Sequence, residues 1–207
     1  MSSAQPDMTE AAQTKACCAA AYEHDAVRLI LGDCYHPGGL GLTRRLADQL
    51  ELRAGQRVLD VASGPGSTAL LLAREYDVVV DGVDLGERSV AAARQAANDA
   101  GLSERVRFHI GDAEWLPFDD ATFDAVVCEC AFCTFPHKAV AAREFARVLR
   151  PGGRLGITDV TLAPGGLPEE LAGLDLDRAK HLTAEAGRAV AAGAAGYVLL
   201  VAERSRR

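Results

Sequence analysis

The sequence predicts an α/β protein with a doubly wound, mostly parallel β-sheet that is covered by helices on both faces. Short apolar segments such as "VLDVA" and "DVVVDGVD" alternate along the chain with helix-like segments such as "ERSVAAARQAANDAG". This alternation is typical of right-handed βαβ crossovers, which produce parallel sheets. Acidic residues also end or follow several of the apolar segments. Ligands bind outside the carboxyl ends of such strands, so these acids predict a binding site on that edge.

Length and composition fit a single globular domain. The chain has 207 residues, of which 49% are apolar and 25% are charged. Its net charge of −7 does not favour a nucleic acid or an anionic membrane as partner. No apolar run reaches the roughly 20 residues of a membrane-spanning helix. Residues 1–14 lack the features of a secretory signal, so we expect a flexible tail and a cytoplasmic protein with reduced cysteines.

The elements follow in a regular order. Helices are predicted at 15–31 and 39–52, separated by a Pro-Gly-Gly break and with Gly55 ending the second. Strands are then predicted at 57–62, 77–85, 105–112, 123–132 and 151–160, with a last strand at 196–204. The intervening helices are predicted at 67–75, 87–101, 139–149 and 178–194.

The turn after the first strand contains Gly64 and Gly66 in "SGPGSTA". Backbone amides at a helix start, together with the helix dipole, favour an anionic group. Taken alone, the turn is equally compatible with a plain strand-to-helix connection. It also fits G-x-G-x-x-A, so a nicotinamide dinucleotide is a competing ligand.

Acidic residues at the ends of the next two strands help to identify the ligand of this turn. Asp84 lies 18 positions beyond Gly66, where a carboxylate can accept both hydroxyls of a ribose; its alternative is a helix N-cap. Asp112 can accept a hydrogen bond from an adenine amino group while the Ala113 amide donates to a ring nitrogen; its alternative is a turn cap. Trp115 fits packing or a lid better than a stacking platform.

Residues 57–160 resemble the class I S-adenosylmethionine-dependent methyltransferases, whose sheet is Rossmann-like. The matching segments are "LDVASGPG", the acid at Asp84, "GDAEWLPF", "FDAVVCE" and "RVLRPGGRLGITDV". Asp60 before the glycines and the "LRPGG" turn argue against a dinucleotide enzyme. The resemblance implies a helical lid at 15–50, a cofactor-binding core at 51–161 and a shortened C-terminal region at 162–207. We expect a small-molecule substrate, but the methyltransferase fold says little about its identity.

The same resemblance implies S-adenosylmethionine as cofactor. Gly64 and Gly66 would approach its methionine part, and Asp60 would hold its charged amino acid end. Asp84 would bind the ribose, and Asp112 with Ala113 would bind the adenine. The expected cofactor-binding residues are Asp60, Gly64, Gly66, Asp84, Leu85, Asp112, Ala113 and Glu129.

Cysteines are the main candidates for residues that contact the molecule receiving the methyl group. "CECAFC" places Cys128 and Cys130 on one face of the fourth strand, with Cys133 in the loop beyond it. Core packing is the simplest interpretation of Cys128. A zinc site through Cys130, Cys133, Cys34 and His36 is a further alternative, and a redox pair is a weaker one.

A second resemblance concerns "TKACC", "LGDCYHPGGL" and the cysteine that follows "FDAVVCE", which are similar to segments of the arsenite methyltransferases. It implies that Cys34 and Cys130 are the catalytic thiols that bind trivalent arsenic, and that Cys17 is the N-terminal cysteine of that family. The arsenic lone pair would attack the methyl group without a general base.

The chain departs from that family because it has no cysteine after Cys133. An external thiol such as glutathione would complete the arsenic ligands. The acids beside the two thiols, Asp33 and Glu129, would tend to raise their pKa values. Methyl transfer to another small molecule, or cofactor or metalloid binding without turnover, remain as alternatives.

Overall fold

The structure, a computed structural model, describes residues 11–15, 38–162 and 195–206. The predicted helix at 178–194 and the cysteines Cys17, Cys18 and Cys34 lie outside these residues. Residues 11–15 are helical, and residues 11–14 belong to the segment predicted to be a flexible tail. Within the described ranges, no helix has the length and apolar character needed to cross a membrane.

The described residues form a six-stranded sheet in the order β3-β2-β1-β4-β5-β6. The strands are β1 Arg57–Val61, β2 Val79–Asp84, β3 Val106–Ile110, β4 Phe123–Glu129, β5 Leu149–Leu162 and β6 Ala195–Glu203. Strands β1 to β5 are parallel, and β6 pairs antiparallel with β5. This confirms the predicted doubly wound, mostly parallel sheet. The strand order reverses between β1 and β4, which places the topological switch point beside β1.

Helices cover both faces of the sheet. They are α1 Gly39–Leu50, α2 Ser67–Glu75, α3 Glu87–Asp99 and α4 Lys138–Val148, with a 3₁₀ turn at Phe132–Thr134. Helices α1, α2 and α3 share one apolar core with Val58 of β1, whereas α4 shares the other core with Leu59. Adjacent strand residues point to opposite faces, so Val58 and Leu59 identify the two layers.

Helix α1 is part of the core layer, although the sequence assigned it to a lid. Leu46 and Ala47 are both 1% exposed within the core that α1 shares with the sheet. Gly156 of β5 permits this packing, because a Cβ there would lie 2.7 Å from Cδ1 of Leu46. The helix ends at Leu50, earlier than predicted, since Glu51 adopts a left-handed backbone with φ 51°.

Candidate functional site

A cleft lies at the carboxyl ends of β1 to β4, beside the switch point. It encloses about 1050 Å³ of empty space, part of it open to solvent. Of the residues predicted to bind a cofactor, all but Gly66 line it: Asp60, Gly64, Asp84, Leu85, Asp112, Ala113 and Glu129. Cys130 also lines the cleft. Four successive strands therefore bring the predicted acids together.

Asp60 and Ser63 carry buried oxygen atoms on the wall of the cleft. Asp60 is 2% exposed, and its Oδ2 has no hydrogen-bond partner among the described residues; the same holds for Oγ of Ser63. Burial raises the pKa of Asp60 well above its ordinary value, and the charges of Glu129 and Asp84 act in the same direction. Buried polar atoms usually have partners. These two oxygens are therefore suited to donors supplied by a ligand.

Asp84 is held by backbone amides from two different loops. Its Oδ2 accepts from Gly64 N–H over 2.8 Å, and its Oδ1 accepts from Gly86 N–H over 2.8 Å. These two amides use one acceptor position on each oxygen of the carboxylate. The loop after β1 thus orients the carboxylate that ends β2.

Gly66 has a packing role that the sequence did not indicate. It precedes α2 with a φ of 87°, and a Cβ at this position would lie 2.6 Å from Cζ of Phe108. Such a distance is far inside normal contact, so the side chain is excluded by the Phe108 ring. Gly66 does not line the cleft; it lets the start of α2 approach β3.

Asp112 and Glu114 meet a lysine from the N-terminal helical segment. The Lys15 ammonium lies 2.7 Å from Oδ2 of Asp112 and 2.5 Å from Oε2 of Glu114. Asp112 also accepts from the Glu114 N–H at 2.9 Å. Trp115, which closes this turn, is 81% exposed and does not line the cleft. Nothing local in the sequence points to Lys15, because it lies 97 positions from Asp112.

Glu129 is anchored by three threonine hydroxyls. Oε2 accepts from Thr43 at 2.9 Å and from Thr68 at 2.7 Å, and Oε1 accepts from Thr158 at 3.3 Å. The donors come from α1, α2 and β5, so they are separated in the sequence and were not predicted. The glutamate is 9% exposed, and the hydroxyls compensate for its burial.

The three cysteines near β4 occupy different environments, contrary to the prediction that Cys128 and Cys130 share a strand face. Cys128 is fully buried in the core that contains α4. Cys130 lies beyond the end of β4 with a φ of 52°, so strand alternation no longer applies to it. Cys133 is exposed in the 3₁₀ turn. Among the three, Cys130 reaches the cleft.

Both thiols beyond β4 are held in their protonated forms. Burial, with the charges of Asp159 and Glu129, raises the pKa of Cys130 to about 12. Burial and a hydrogen bond with Asp159 raise the pKa of Cys133 to about 11. In the part of the chain that the structure describes, no group of three or more histidine, cysteine or acidic side chains is placed to hold a metal ion. The zinc alternative also needs Cys34 and His36, which lie outside it.

The fold and the cleft define an α/β domain whose ligand cleft lies at the switch point and is lined by acids from four parallel strands. Residues 58–153 match the family described as a methyltransferase domain. The chain therefore contains a class I S-adenosylmethionine-dependent methyltransferase domain.

Several named proteins are similar to this chain in sequence or structure. The 27-O-demethylrifamycin SV methyltransferase of Amycolatopsis mediterranei is 40% identical over 73% of this chain and 53% of that protein. The structure of the [4+2]-cyclase SpnF is 27% identical over 80% of each chain, with a TM-score of 0.65. An S-adenosylmethionine complex of Haemonchus contortus phosphoethanolamine N-methyltransferase 2 is 25% identical over 79% of this chain and 40% of that one, with a TM-score of 0.64.

The chain spans about half the length of the curated relatives that it matches first. Its relatives also differ in the reactions named for them, since SpnF is a cyclase. A shared fold leaves the reaction to be argued from the site.

Proposed function

We propose that this chain binds S-adenosylmethionine in the cleft and transfers its methyl group to an oxygen or nitrogen atom of a small organic molecule. The observation that carries the proposal is the convergence of four carboxylates on one cleft of a methyltransferase domain: Asp60, Asp84, Asp112 and Glu129. Among the described lining residues, Lys15 is the one cation. Such a cleft favours a ligand that carries positive charge. When bound, the cofactor supplies an electrophilic methyl group on a positively charged sulfonium.

The buried oxygens of Asp60 and Ser63, which have no partner among the described residues, support binding of the amino acid end of the cofactor beside them. An ammonium group offers several donors and a positive charge, which suits a buried carboxylate with a raised pKa. Asp84, which lines the cleft at the end of β2, would accept the ribose hydroxyls. Asp112 and the Ala113 amide would bind the adenine. The chain's own residues thus bind and orient the cofactor.

The acceptor side of the cleft supports a neutral molecule. Beyond Cys130 it is lined by Ala131, Thr134 and Phe135, which supply apolar surface and one hydroxyl. No arginine or histidine belongs to the described part of the lining, so a phosphate or carboxylate acceptor has little support there. The names of the Amycolatopsis and Haemonchus relatives assign them O- and N-methylation.

Thiol-bound trivalent arsenic is a second candidate acceptor, and the position of Cys130 on the cleft favours it. The partner thiol expected from the sequence, Cys34, lies outside the described residues. The raised pKa of Cys130 opposes metal binding, so arsenic must itself displace the thiol proton. In this candidate function, Cys34 and Cys130 would hold arsenite or methylarsenite together with an external thiol.

Methyl transfer from labelled cofactor tests both candidates. The protein is incubated with methyl-labelled S-adenosylmethionine and three sets of acceptors: hydroxylated compounds, amines, and arsenite or methylarsenite with glutathione. A labelled oxygen or nitrogen product supports the first candidate. A labelled arsenical that is lost in Cys130→Ser and retained in Cys133→Ser selects the second.

Two further outcomes contradict the proposal at different levels. Binding of S-adenosylhomocysteine without any product leaves a cofactor-binding protein without methyl transfer. Failure of the wild-type chain to bind S-adenosylhomocysteine in calorimetry overturns the cofactor assignment itself.

A further inference from the structure

Lys15 stands between the N-terminal helical segment and the turn after β3. Its ammonium contacts Asp112 at 2.7 Å and Glu114 at 2.5 Å, and the residue lines the same cleft as the four acids. The lysine side chain is 18% exposed and that of Glu114 is 8% exposed. This ion pair is largely shielded from water, so solvent and salt screen it less than an ordinary surface pair.

Asp112 and Glu114 have different hydrogen-bond partners besides Lys15. Asp112 accepts the Glu114 N–H with Oδ1 and the Lys15 ammonium with Oδ2, so both of its oxygens are directed. Glu114 accepts the His137 N–H over 2.7 Å and contacts Nδ1 of His137 over 3.0 Å. His137 directly precedes α4, so these contacts connect Glu114 to the start of that helix. Lys15 therefore joins a buried acid that has other hydrogen bonds, Glu114, to a more exposed acid, Asp112.

The charges of this group agree with the geometry. Burial alone would lower the pKa of Lys15, but its hydrogen bonds to Asp112 and Glu114 outweigh burial and raise it. Burial alone would raise the pKa of Glu114, but the hydrogen bonds from Lys15 and His137 outweigh burial and lower it. Both shifts favour the charged forms of Lys15 and Glu114.

We propose that Lys15 is a positioning residue of the cofactor site, which orients the Asp112 carboxylate so that it accepts the amino group of adenine. Selectivity for the nucleobase then depends on a residue of the N-terminal segment, far from the strand ends that carry the other acids. This inference rests on the proposed binding of S-adenosylmethionine. Without Lys15, Asp112 can rotate toward solvent, because its side chain is 34% exposed.

The test compares S-adenosylhomocysteine with S-inosylhomocysteine, in which a carbonyl oxygen replaces the adenine amino group. Binding is measured by calorimetry and by the fluorescence of Trp115, the single tryptophan of the chain, which follows Asp112 in the same turn. The wild type is expected to prefer the adenine ligand. Lys15→Met is expected to reduce that preference about tenfold, the size of one charged hydrogen bond.

Two variants separate orientation from general stability. Lys15→Arg keeps the positive charge and is expected to restore most of the preference. Arg44→Met removes an exposed ion pair with Glu75 that joins α1 and α2 away from the cleft, and it should leave the preference unchanged. Thermal melting of each variant reports whether it folds. If Lys15→Met does not fold, Lys15→Gln is subject to the same expectation.

The results distinguish the inference from the proposed function. If the wild type binds neither ligand, the proposed function fails. If the wild type binds both equally, or if Lys15→Met keeps the wild-type preference, the role of Lys15 is overturned while cofactor binding stands. A preference that falls in Lys15→Met and returns in Lys15→Arg supports the inference.

Discussion

The amide of Gly64 donates a hydrogen bond of 2.8 Å to Oδ2 of Asp84, which joins the loop after β1 to the end of β2. The second carboxylate oxygen accepts from Gly86, at the start of the next helix. One acidic side chain thus fixes the geometry of two neighbouring loops on the cleft. Its removal affects both the expected ribose contact and the loops themselves.

Asp84→Ala is expected to weaken the binding of S-adenosylhomocysteine by on the order of 2 kcal/mol, the size of a lost hydrogen bond to a charged group. Isothermal titration calorimetry measures the change. Asp119→Ala, at an exposed position in the loop before β4, serves as control and should bind as the wild type does. Unchanged affinity in Asp84→Ala would remove Asp84 from the cofactor site.

Asp60→Asn is expected to stabilise the protein while it weakens cofactor binding. Because the pKa of Asp60 is raised above 3.8 in the folded state, the unfolded chain releases this proton at lower pH than the folded chain. The contribution of Asp60 to the free energy of unfolding therefore falls as the pH rises from about 4 toward the raised pKa. A neutral amide avoids that cost, so urea unfolding at pH 7 should show a higher free energy.

The same variant should also show a flatter dependence of stability on pH. Asp119→Asn, at the exposed loop position, controls for the loss of one negative charge and should not reproduce the gain. A lower free energy of unfolding in Asp60→Asn at pH 7 would mean that the ionised carboxylate is stabilising. Buried groups retained for binding often oppose stability in this way.

Gly66→Ala is expected to destabilise the fold by about 2–4 kcal/mol, because the left-handed backbone and the overlap with the Phe108 ring both resist a side chain. Gly41→Ala is the matched control: it lies in α1, exposed, with no neighbour within 4 Å of its Cβ position. That change should stabilise by about 0.5–1 kcal/mol, since alanine favours a helix. Denaturant unfolding compares the two.

A second substitution tests the cause assigned to Gly66. In Gly66→Ala with Phe108→Leu, the smaller side chain removes the ring from the position of the new Cβ. The double variant should lose less stability than the sum of the two single changes, because the residues are coupled. Simple additivity would contradict the packing role.

Iodoacetamide should label Cys133 before Cys130, and Cys128 last. The pKa values of about 11 and about 12 leave little thiolate at neutral pH, and the pKa of the buried Cys128 is raised well above 9.0. The rate at Cys130 should rise about tenfold per pH unit until the pH nears its pKa, because the thiolate is the nucleophile. Tandem mass spectrometry locates the label on each cysteine.

Asp159→Asn tests the electrostatic part of these shifts. Asp159 raises the pKa of both thiols, in addition to the effect of burial. The neutral variant should therefore move both labelling profiles to lower pH. The asparagine oxygen can still accept from the Cys133 N–H, which Asp159 Oδ2 binds at 2.7 Å. Profiles that do not move would exclude Asp159 as a cause of the shifts.

Local patterns account for most of the correct sequence predictions. Hydrophobic periodicity predicts the order of strands and helices. The acids at strand ends are predicted from short segments, in which residues close in sequence are also close in space. The interpretation of "CECAFC" was wrong because strand alternation holds only while the strand continues, and Cys130 leaves it with a φ of 52°. The assignment of Gly66 missed Phe108, a contact across 42 positions of the chain.

The sequence by itself determined the parallel α/β architecture and the acidic edge of the sheet, because βαβ periodicity dictates which strand ends face the same way. Only the tertiary structure decided the partners of those acids. Lys15 reaches Asp112 from the N-terminal segment, and threonines from three elements surround Glu129. Contacts between distant segments depend on how the layers pack in three dimensions, and periodicity indicates which face of an element is buried but not which residues it meets.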